Sequence, residues 1–222
     1  MNFMKNIFLC LLFSCIFSIA FCQRPLTQDL KLTDGLYQHI GEFKQDAPSL
    51  SWKEYEGIWT YNARLKCYQV EKIHRKGKPE INLQDTIWGF TLKGVPYIRV
   101  SPDSCGRPLT LFAELTVRGL INTFFYEKEN QEMIPMKAYN PLTGTVFRKG
   151  MVKRKTTTLE KRIFNLNDNQ ILNYDPLTLE KWIEKDKEIL RALRLASNEE
   201  YEEKLIRALI VFNSRYPFII QK

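Results

Sequence analysis

The side chains that most often carry out catalysis or bind metals are scarce in this sequence. It has two histidines, His39 and His74, and neither lies beside a nucleophile motif. A catalytic triad requires a histidine that transfers the proton of the nucleophile. Zinc sites require closely spaced cysteines or histidines, and the sequence has no CxxC, HxH or HExxH motif. We therefore predict no catalytic residue, no metal site and no cofactor.

Carboxylates are the remaining candidates for acid–base chemistry. Glu54 and Glu56, together with Asp103, could form the carboxylate pair that hydrolyses a glycosidic bond. That reaction requires a defined separation in space, which spacing along the chain does not provide. Carboxylates are also common on soluble surfaces. A hydrolase acting on cell-wall or glycan material therefore remains the alternative to a non-enzymatic protein.

The densest group of charged side chains is a basic strip near the middle of the chain. It has seven cations and one acid, Glu160. The cations are Arg148, Lys149, Lys153, Arg154, Lys155, Lys161 and Arg162. One hypothesis is that the basic strip binds an anionic partner. The other is that its charges only keep an exposed strand from pairing with other chains.

The first 22 residues are typical of a secretory signal peptide. Lys5 precedes an uncharged apolar run from Ile7 to about Phe21. Roughly 15 apolar residues are fewer than the 20 or so that cross a bilayer. We predict cleavage after Cys22, export to the periplasm or medium, and no transmembrane segment afterwards. Lipid attachment at Cys15 and retention of an N-terminal anchor stay open as alternatives.

Export limits the partners that the protein can meet and places its cysteines in an oxidising compartment. An exported basic strip would meet an envelope protein, an anionic polysaccharide or a lipid surface, and nucleic acid is not expected there. Cleavage leaves Cys67 and Cys105, an even pair in an oxidising compartment. A disulfide between them would stabilise the fold by roughly 3–4 kcal/mol. Two buried thiols are the alternative.

The composition is that of a folded domain. Among the 222 residues, 44% are apolar and 26% charged, and the formal net charge is +8. These values exclude a disordered chain and a polytopic membrane protein. We predict an α+β fold with a mainly antiparallel β domain over 23–165, in which a short helix from His39 to about Gln45 comes first. A C-terminal helical hairpin over 166–222 would pack on the same domain.

Turn and cap signals support these elements. Lys93-Gly94 joins two aromatic and β-branched segments, which predicts a β-hairpin. Further strands are predicted at about 67–74, and at 145–153 and 160–166, the last two as an exposed hairpin. Asp175 before Pro176 predicts the start of one C-terminal helix. Ser197 with Glu200 three residues later predicts the start of the second.

Short segments spread along the chain carry a family resemblance. They are Asp34-Gly35-Leu36-Tyr37, Glu42-Phe43 with Pro48-Ser49, Ile87-Trp88-Gly89-Phe90, Val95-Pro96-Tyr97-Ile98 and Phe212-Asn213-Ser214-Arg215-Tyr216-Pro217. With them the chain resembles small exported proteins of uncharacterised function that are common in Bacteroidota. Gly41 replaces the first Glu of that family's Glu-Glu-Phe, and Asp46-Ala47 replaces its Asn-x before the proline. The resemblance implies export, supplies no catalytic residues and leaves the function open. From the residues themselves, a non-enzymatic binding or structural protein of the cell envelope is the expected function.

Overall fold

A computed structural model describes residues 24–79, 82–101, 105–195, 197 and 199–220. The predicted signal peptide lies outside these described residues, and so does Asp103. The described chain is mixed α and β, and its sheets are antiparallel. This confirms the predicted α+β class.

Eleven strands and four helices lie in the described part of the chain. The strands are β1 (Arg24–Pro25), β2 (Gly35–Tyr37), β3 (Tyr55–Asn62), β4 (Cys67–Arg75), β5 (Gly89–Leu92), β6 (Val95–Arg99), β7 (Thr110–Glu114), β8 (Ile121–Tyr139), β9 (Val146–Asn165), β10 (Gln170–Asn173) and β11 (Ile219–Ile220). The helices are α1 (Ile40–Lys44), α2 (Pro176–Trp182), α3 (Lys187–Arg194) and α4 (Tyr201–Arg215).

The largest sheet has six strands in the order β2-β5-β6-β7-β4-β3. The predicted hairpin is confirmed at its centre, where Phe90 of β5 pairs with Tyr97 of β6. Its turn residues Lys93 and Gly94 both have positive φ, at 55° and 78°. This combination gives a two-residue turn whose twist matches that of the flanking strands.

The two faces of the six-stranded sheet bury different side chains, because neighbouring residues of a strand point in opposite directions. One face holds an aromatic cluster in which Phe90 contacts Trp59, Tyr97 and Phe112. The other face holds the largest core cluster, to which β6 contributes Ile98.

A long hairpin, β8–β9, packs its base between that second face and the helices. On one side, Phe124 and Phe164 join the core of the six-stranded sheet. On the other, Ile121 and Ile163 join the cluster formed by the helices α2, α3 and α4. The base of the hairpin is therefore the central layer of the molecule.

Strand β9 differs from the sequence prediction. The segments 145–153 and 160–166 were expected to be two strands that pair with each other. They form one continuous strand of 20 residues that pairs with the 19 residues of β8. The intervening Thr156, Thr157 and Thr158 are β-branched residues that suit an extended strand rather than a turn.

The C-terminal region contains three described helices where two were predicted. Asp175 caps α2 by accepting hydrogen bonds from the backbone of Leu177 and Thr178, as expected. The chain then breaks, and Asp186 caps α3 through the backbone of Ile189. The predicted Ser197 cap is wrong, because α4 begins at Tyr201 after Glu200, which makes no side-chain cap.

The first and last described strands are partners. Arg24 of β1 lies opposite Ile220 of β11, and Pro25 lies opposite Ile219. Leu26, which follows β1, donates its backbone N–H to the carbonyl of Phe218. The two ends of the described chain are thus held side by side.

Candidate anion-binding hairpin

The hairpin β8–β9 is braced by the rest of the molecule only as far as about Glu129. Arg107 forms an ion pair with Glu127 at 2.7 Å and lies 3.8 Å from Glu129. The Cys67 thiol donates to the carbonyl of Phe125 at 3.4 Å. A Cβ on Gly106 would lie only 2.6 Å from the Glu129 carbonyl oxygen, so backbone contacts backbone there. Beyond this point the strands separate from the core.

We call residues 131–155 the distal ribbon. They comprise the outer half of both strands and the turn, and none of them is buried. From Gln131 to Tyr139 the ribbon extends about 27 Å. Two strands alone are only marginally stable in water. Burial in the core of the described structure therefore does not stabilise this extension.

Five cations of the basic strip lie on the distal ribbon and point into solvent. They are Arg148, Lys149, Lys153, Arg154 and Lys155. Within the described residues, only Lys155 has an ion-pair partner, Glu129 at 3.9 Å. The other four have none among the contacts of the described chain. Their charges are therefore free to act on a partner.

The remaining two cations of the strip belong to the braced base. Lys161 pairs with Glu202 of α4 and lies over the ring of Tyr174. Arg162 donates two hydrogen bonds to the hydroxyl of Tyr126. Burial raises the pKa of Tyr174 to about 12, and the nearby Glu202 adds to this effect. These contacts hold the base of the hairpin, so Lys161 and Arg162 are structural in this arrangement.

The strand register sorts the ribbon cations onto two faces. Directly opposed residues share a face, and the face changes with each residue. One face carries Lys149, Lys153 and Lys155, together with Lys137 from β8, which lies opposite Lys149. The other face carries arginines 148 and 154. The first face is therefore a row of lysines about 20 Å long.

The pair formed by Lys137 and Lys149 was missed by the sequence analysis. Like charges directly opposite each other in a sheet are destabilising. An anion placed between them would remove that repulsion. Lys137 is separated from the strip by ten residues of sequence and joins it only through the register of β8 with β9.

The end of the ribbon is apolar and ordered. Leu142 is 93% exposed, Phe147 68% and Tyr139 56%. The turn is closed by backbone hydrogen bonds from Asn140 to Thr145 and from Gly144 back to Asn140, both 2.8 Å. The apolar side chains are therefore presented on a defined turn.

The candidates for catalysis do not converge in the described structure. His39 is exposed at the position before α1, and its Nε2 lies 3.5 Å from a carboxylate oxygen of Glu42 in that helix. His74 is buried on β4, with its Nε2 3.0 Å from an oxygen of Glu56. Glu54 pairs instead with Arg75 at 3.0 Å. The two carboxylates proposed for hydrolysis thus have separate basic partners.

Cys67 and Cys105 lie in the same core cluster. The Cys67 sulfur lies 3.2 Å from the carbonyl oxygen of Leu65 and 3.4 Å from that of Phe125, and the one S–H of the thiol is shared between these two acceptors. Burial raises the pKa of this thiol to about 12. Only a thiolate attacks another sulfur, so burial disfavours the reactive form of Cys67. Its pairing with Cys105 stays a prediction.

Two features are absent from the described residues. No group of three or more His, Cys, Asp or Glu side chains there is arranged to hold a metal ion. None of the helices that the structure describes is both long and apolar enough to cross a membrane.

Comparisons with known proteins give no relative. No protein-family model, no curated protein and no solved structure matches the chain significantly.

Proposed function

We propose that this is an exported, non-enzymatic binding protein of the cell envelope that holds an anionic partner on its distal ribbon. Export follows from the signal-peptide pattern of residues 1–22 and from the resemblance to small exported Bacteroidota proteins. The predicted C-terminal helical hairpin would serve as the rigid support of the ribbon, because the helices pack on the base of β8–β9.

One observation carries the proposal: an excess of positive charge on a part of the chain that contributes nothing to the core. The distal ribbon has six basic residues and one acidic residue, Glu132. Most of the net charge of +8 is therefore concentrated in 131–155. Edge protection accounts for lysines on an exposed strand. It does not account for Lys137 directly opposite Lys149, because like charges in that position destabilise a sheet.

Partner binding is tested with the chain from Gln23, which contains every described residue. The ribbon variant carries Lys149→Gln, Lys153→Gln and Lys155→Gln. The control variant carries Lys53→Gln, Arg64→Gln and Lys78→Gln, which remove the same charge from exposed positions on the six-stranded sheet side. Binding to heparin and to anionic vesicles is measured against salt concentration.

We expect the ribbon variant to lose at least about tenfold in affinity for one of these anions, with a weaker salt dependence. The control variant should bind as the parent chain does. Equal affinities of the two variants for both anions would exclude the ribbon as the binding site. N-terminal sequencing of the exported protein tests the other half of the proposal, which expects Gln23 as the first residue.

A further inference from the structure

We infer that the anionic partner of the distal ribbon is a lipid bilayer, into whose interface the apolar turn inserts. This inference rests on the proposed function and makes it more specific. A bilayer is the anionic partner that also offers an apolar phase. The structure joins both features in one extension.

The apolar tip consists of the side chains at the turn of the ribbon. Its members are Tyr139, Leu142, Val146 and Phe147, all exposed. Four large apolar residues within nine positions, none covered by the described chain, form a surface that water disfavours. Tyrosine and phenylalanine are side chains that favour the interfacial region of a bilayer.

A basic collar lies directly behind the apolar tip. It consists of Lys137, Arg148 and Lys149. Lys137 and Lys149 lie on one face of the ribbon, and Arg148 lies on the other. Lys137 is two residues from Tyr139, which places the collar about 7 Å behind the first residue of the tip. Segments that bind at bilayer interfaces bury their apolar side chains to about 5–10 Å. The collar would therefore lie at the level of the phosphates.

The remaining cations continue the same contact along the ribbon. Lys153 and Lys155 share the face of the collar lysines, further from the tip. Their distance from the collar keeps them outside the bilayer, where they would attract anionic headgroups. The opposite face carries Arg154 opposite Glu132, so its net charge is lower. The ribbon would therefore lean with its lysine face towards the surface.

Two other occupants fit the observations less well. A second copy of the chain would bring two ribbons of the same charge together, and like charges repel. An anionic polysaccharide would neutralise the collar, but it has no apolar phase in which to bury Leu142 and Phe147. Both occupants are separate outcomes of the experiment below.

The experiment compares a tip variant, Leu142→Ser with Phe147→Ser, and a matched control, Leu177→Ser with Leu195→Ser. All four positions are exposed apolar residues. The collar variant carries Lys137→Gln, Arg148→Gln and Lys149→Gln. Each is made in the chain from Gln23. Binding is measured to vesicles of phosphatidylglycerol and phosphatidylcholine, to phosphatidylcholine vesicles alone, and to heparin.

We expect the parent chain to bind the anionic vesicles, and the tip variant to bind them at least about tenfold more weakly. The collar variant should lose about fivefold for each cation. The tip variant should keep the parent's affinity for heparin, and the control variant should keep all affinities. Monomeric parent chain in solution, measured by sedimentation, is also expected.

Other results overturn the inference in ways that can be told apart. If the parent chain binds heparin but not vesicles, the ribbon binds anions and its partner is not a bilayer. If the tip variant binds anionic vesicles as tightly as the parent chain does, the apolar tip does not insert into the bilayer. A dimer that the tip variant abolishes would make a second copy the occupant. If the parent chain binds neither vesicles nor heparin, the proposed function is overturned as well.

A fluorescence measurement tests insertion directly. Phe147→Trp adds an indole to the tip, and Leu177→Trp adds one to an exposed position on α2. We expect anionic vesicles to shift the added emission of the first variant to shorter wavelength and to leave that of the second unchanged. An unchanged spectrum for Phe147→Trp at saturating lipid would contradict insertion.

Discussion

The side-chain amide of Asn213 forms hydrogen bonds with both backbone groups of Ile121. The N–H of Ile121 donates to Oδ1 at 3.0 Å, and Nδ2 donates to the Ile121 carbonyl at 2.7 Å. A side chain of α4 thus pairs with the first residue of β8 as a neighbouring strand would. Asn122 closes a second pair of bonds with the backbone of Gly119, at 3.1 Å and 3.0 Å. Together these amides set the direction in which the hairpin leaves the helices.

Replacing this amide should destabilise the whole domain. Asn213→Ala would leave a buried N–H and a buried carbonyl of Ile121 without partners, and each such group costs about 1–3 kcal/mol. We expect a loss of about 2–4 kcal/mol in the free energy of unfolding, measured by urea denaturation. Asn130→Ala is the control, since it removes an exposed hydrogen bond to Thr158 and should cost less than about 0.5 kcal/mol. Similar losses for both variants would contradict the role of Asn213.

Gly119 provides the space into which the side chain of Asn213 packs. A Cβ at this position would lie 2.3 Å from Cγ of Asn213, and the backbone φ is 158°. We expect Gly119→Ala to destabilise the protein by about 2 kcal/mol or more. Asn213→Ala removes two of the three colliding atoms, Cγ and Nδ2, and keeps the Cβ at 2.5 Å. The double variant should therefore still be strained, but it should lose less than the two single losses added together. Additive losses in a double-mutant cycle would show that the two sites do not interact.

A buried carboxylate holds the N-terminal segment to the six-stranded sheet. Asp46, whose side chain is fully buried, accepts from Arg24 at 2.5 Å and from the backbone N–H of Thr33 at 2.6 Å. Asp46→Asn keeps a residue type that tolerates its φ of 49° but places an amide among donors. We expect it to cost about 2–3 kcal/mol. Arg24→Gln should cost about half of that, because Arg24 is partly exposed and Thr33 still satisfies the carboxylate. Thermal unfolding that ranks the variants in the reverse order would refute this account.

The contact between Asp186 at the start of α3 and Arg215 at the end of α4 should make the free energy of unfolding depend on pH in the acidic range. The backbone N–H of Ile189 and the guanidinium of Arg215 hold the pKa of Asp186 below its usual range. A group whose pKa is lower in the folded state stabilises the protein above its unfolded pKa of about 3.9. That contribution is lost as the pH falls through the lower folded pKa.

The measurement is the urea midpoint between pH 7 and pH 3. Asp186→Asn keeps a capping residue type but has no charge to titrate, so its midpoint should fall less steeply in acid than that of the parent chain. Glu71→Gln, at an exposed position of β4, should follow the parent chain. Parallel curves for all three proteins would disprove the contribution of Asp186.

The distal ribbon should be dispensable for folding. Joining Gln131 to Lys155 through Asn-Gly removes residues 132–154, none of which belongs to a core cluster. Those two residues pair directly in the hairpin, and Asn-Gly suits a two-residue turn. We expect the free energy of unfolding to change by less than about 1 kcal/mol while binding to anions is lost. Unfolding of the shortened chain at room temperature would show that the ribbon is part of the fold.

Local chemistry was enough to predict the elements with strong signals. The turn at Lys93-Gly94 needs two residues with positive φ, and the cap at Asp175 needs an acceptor before Pro176. Both signals lie within a few residues of the structure they specify. The short helix α1 also ends where Pro48 and Ser49 follow shortly after, as expected. In each case the groups that determine the local structure are close together in the sequence.

The rest depends on contacts between distant segments. Residues 128–144 mix polar and apolar side chains without alternation and contain Pro135 and Pro141, so the second half of β8 has no strand pattern of its own. Its outer edge has no neighbour among the described strands, and the missing N–H of Pro135 therefore costs no ladder bond there. The face that carries the lysines arises from a register between strands, which one strand's sequence does not specify.

The pairing of β1 with β11 has a consequence for how the protein comes to be folded. A chain made from its N-terminus presents Arg24 well before Ile220. Until β11 is made, β1 has no partner strand, and the cluster that contains both Leu26 and Ile220 stays incomplete. The asparagine that anchors β8 also arrives late, on α4. The cluster that contains Leu26 and Ile220 can therefore close only after residues near both ends of the described chain are present.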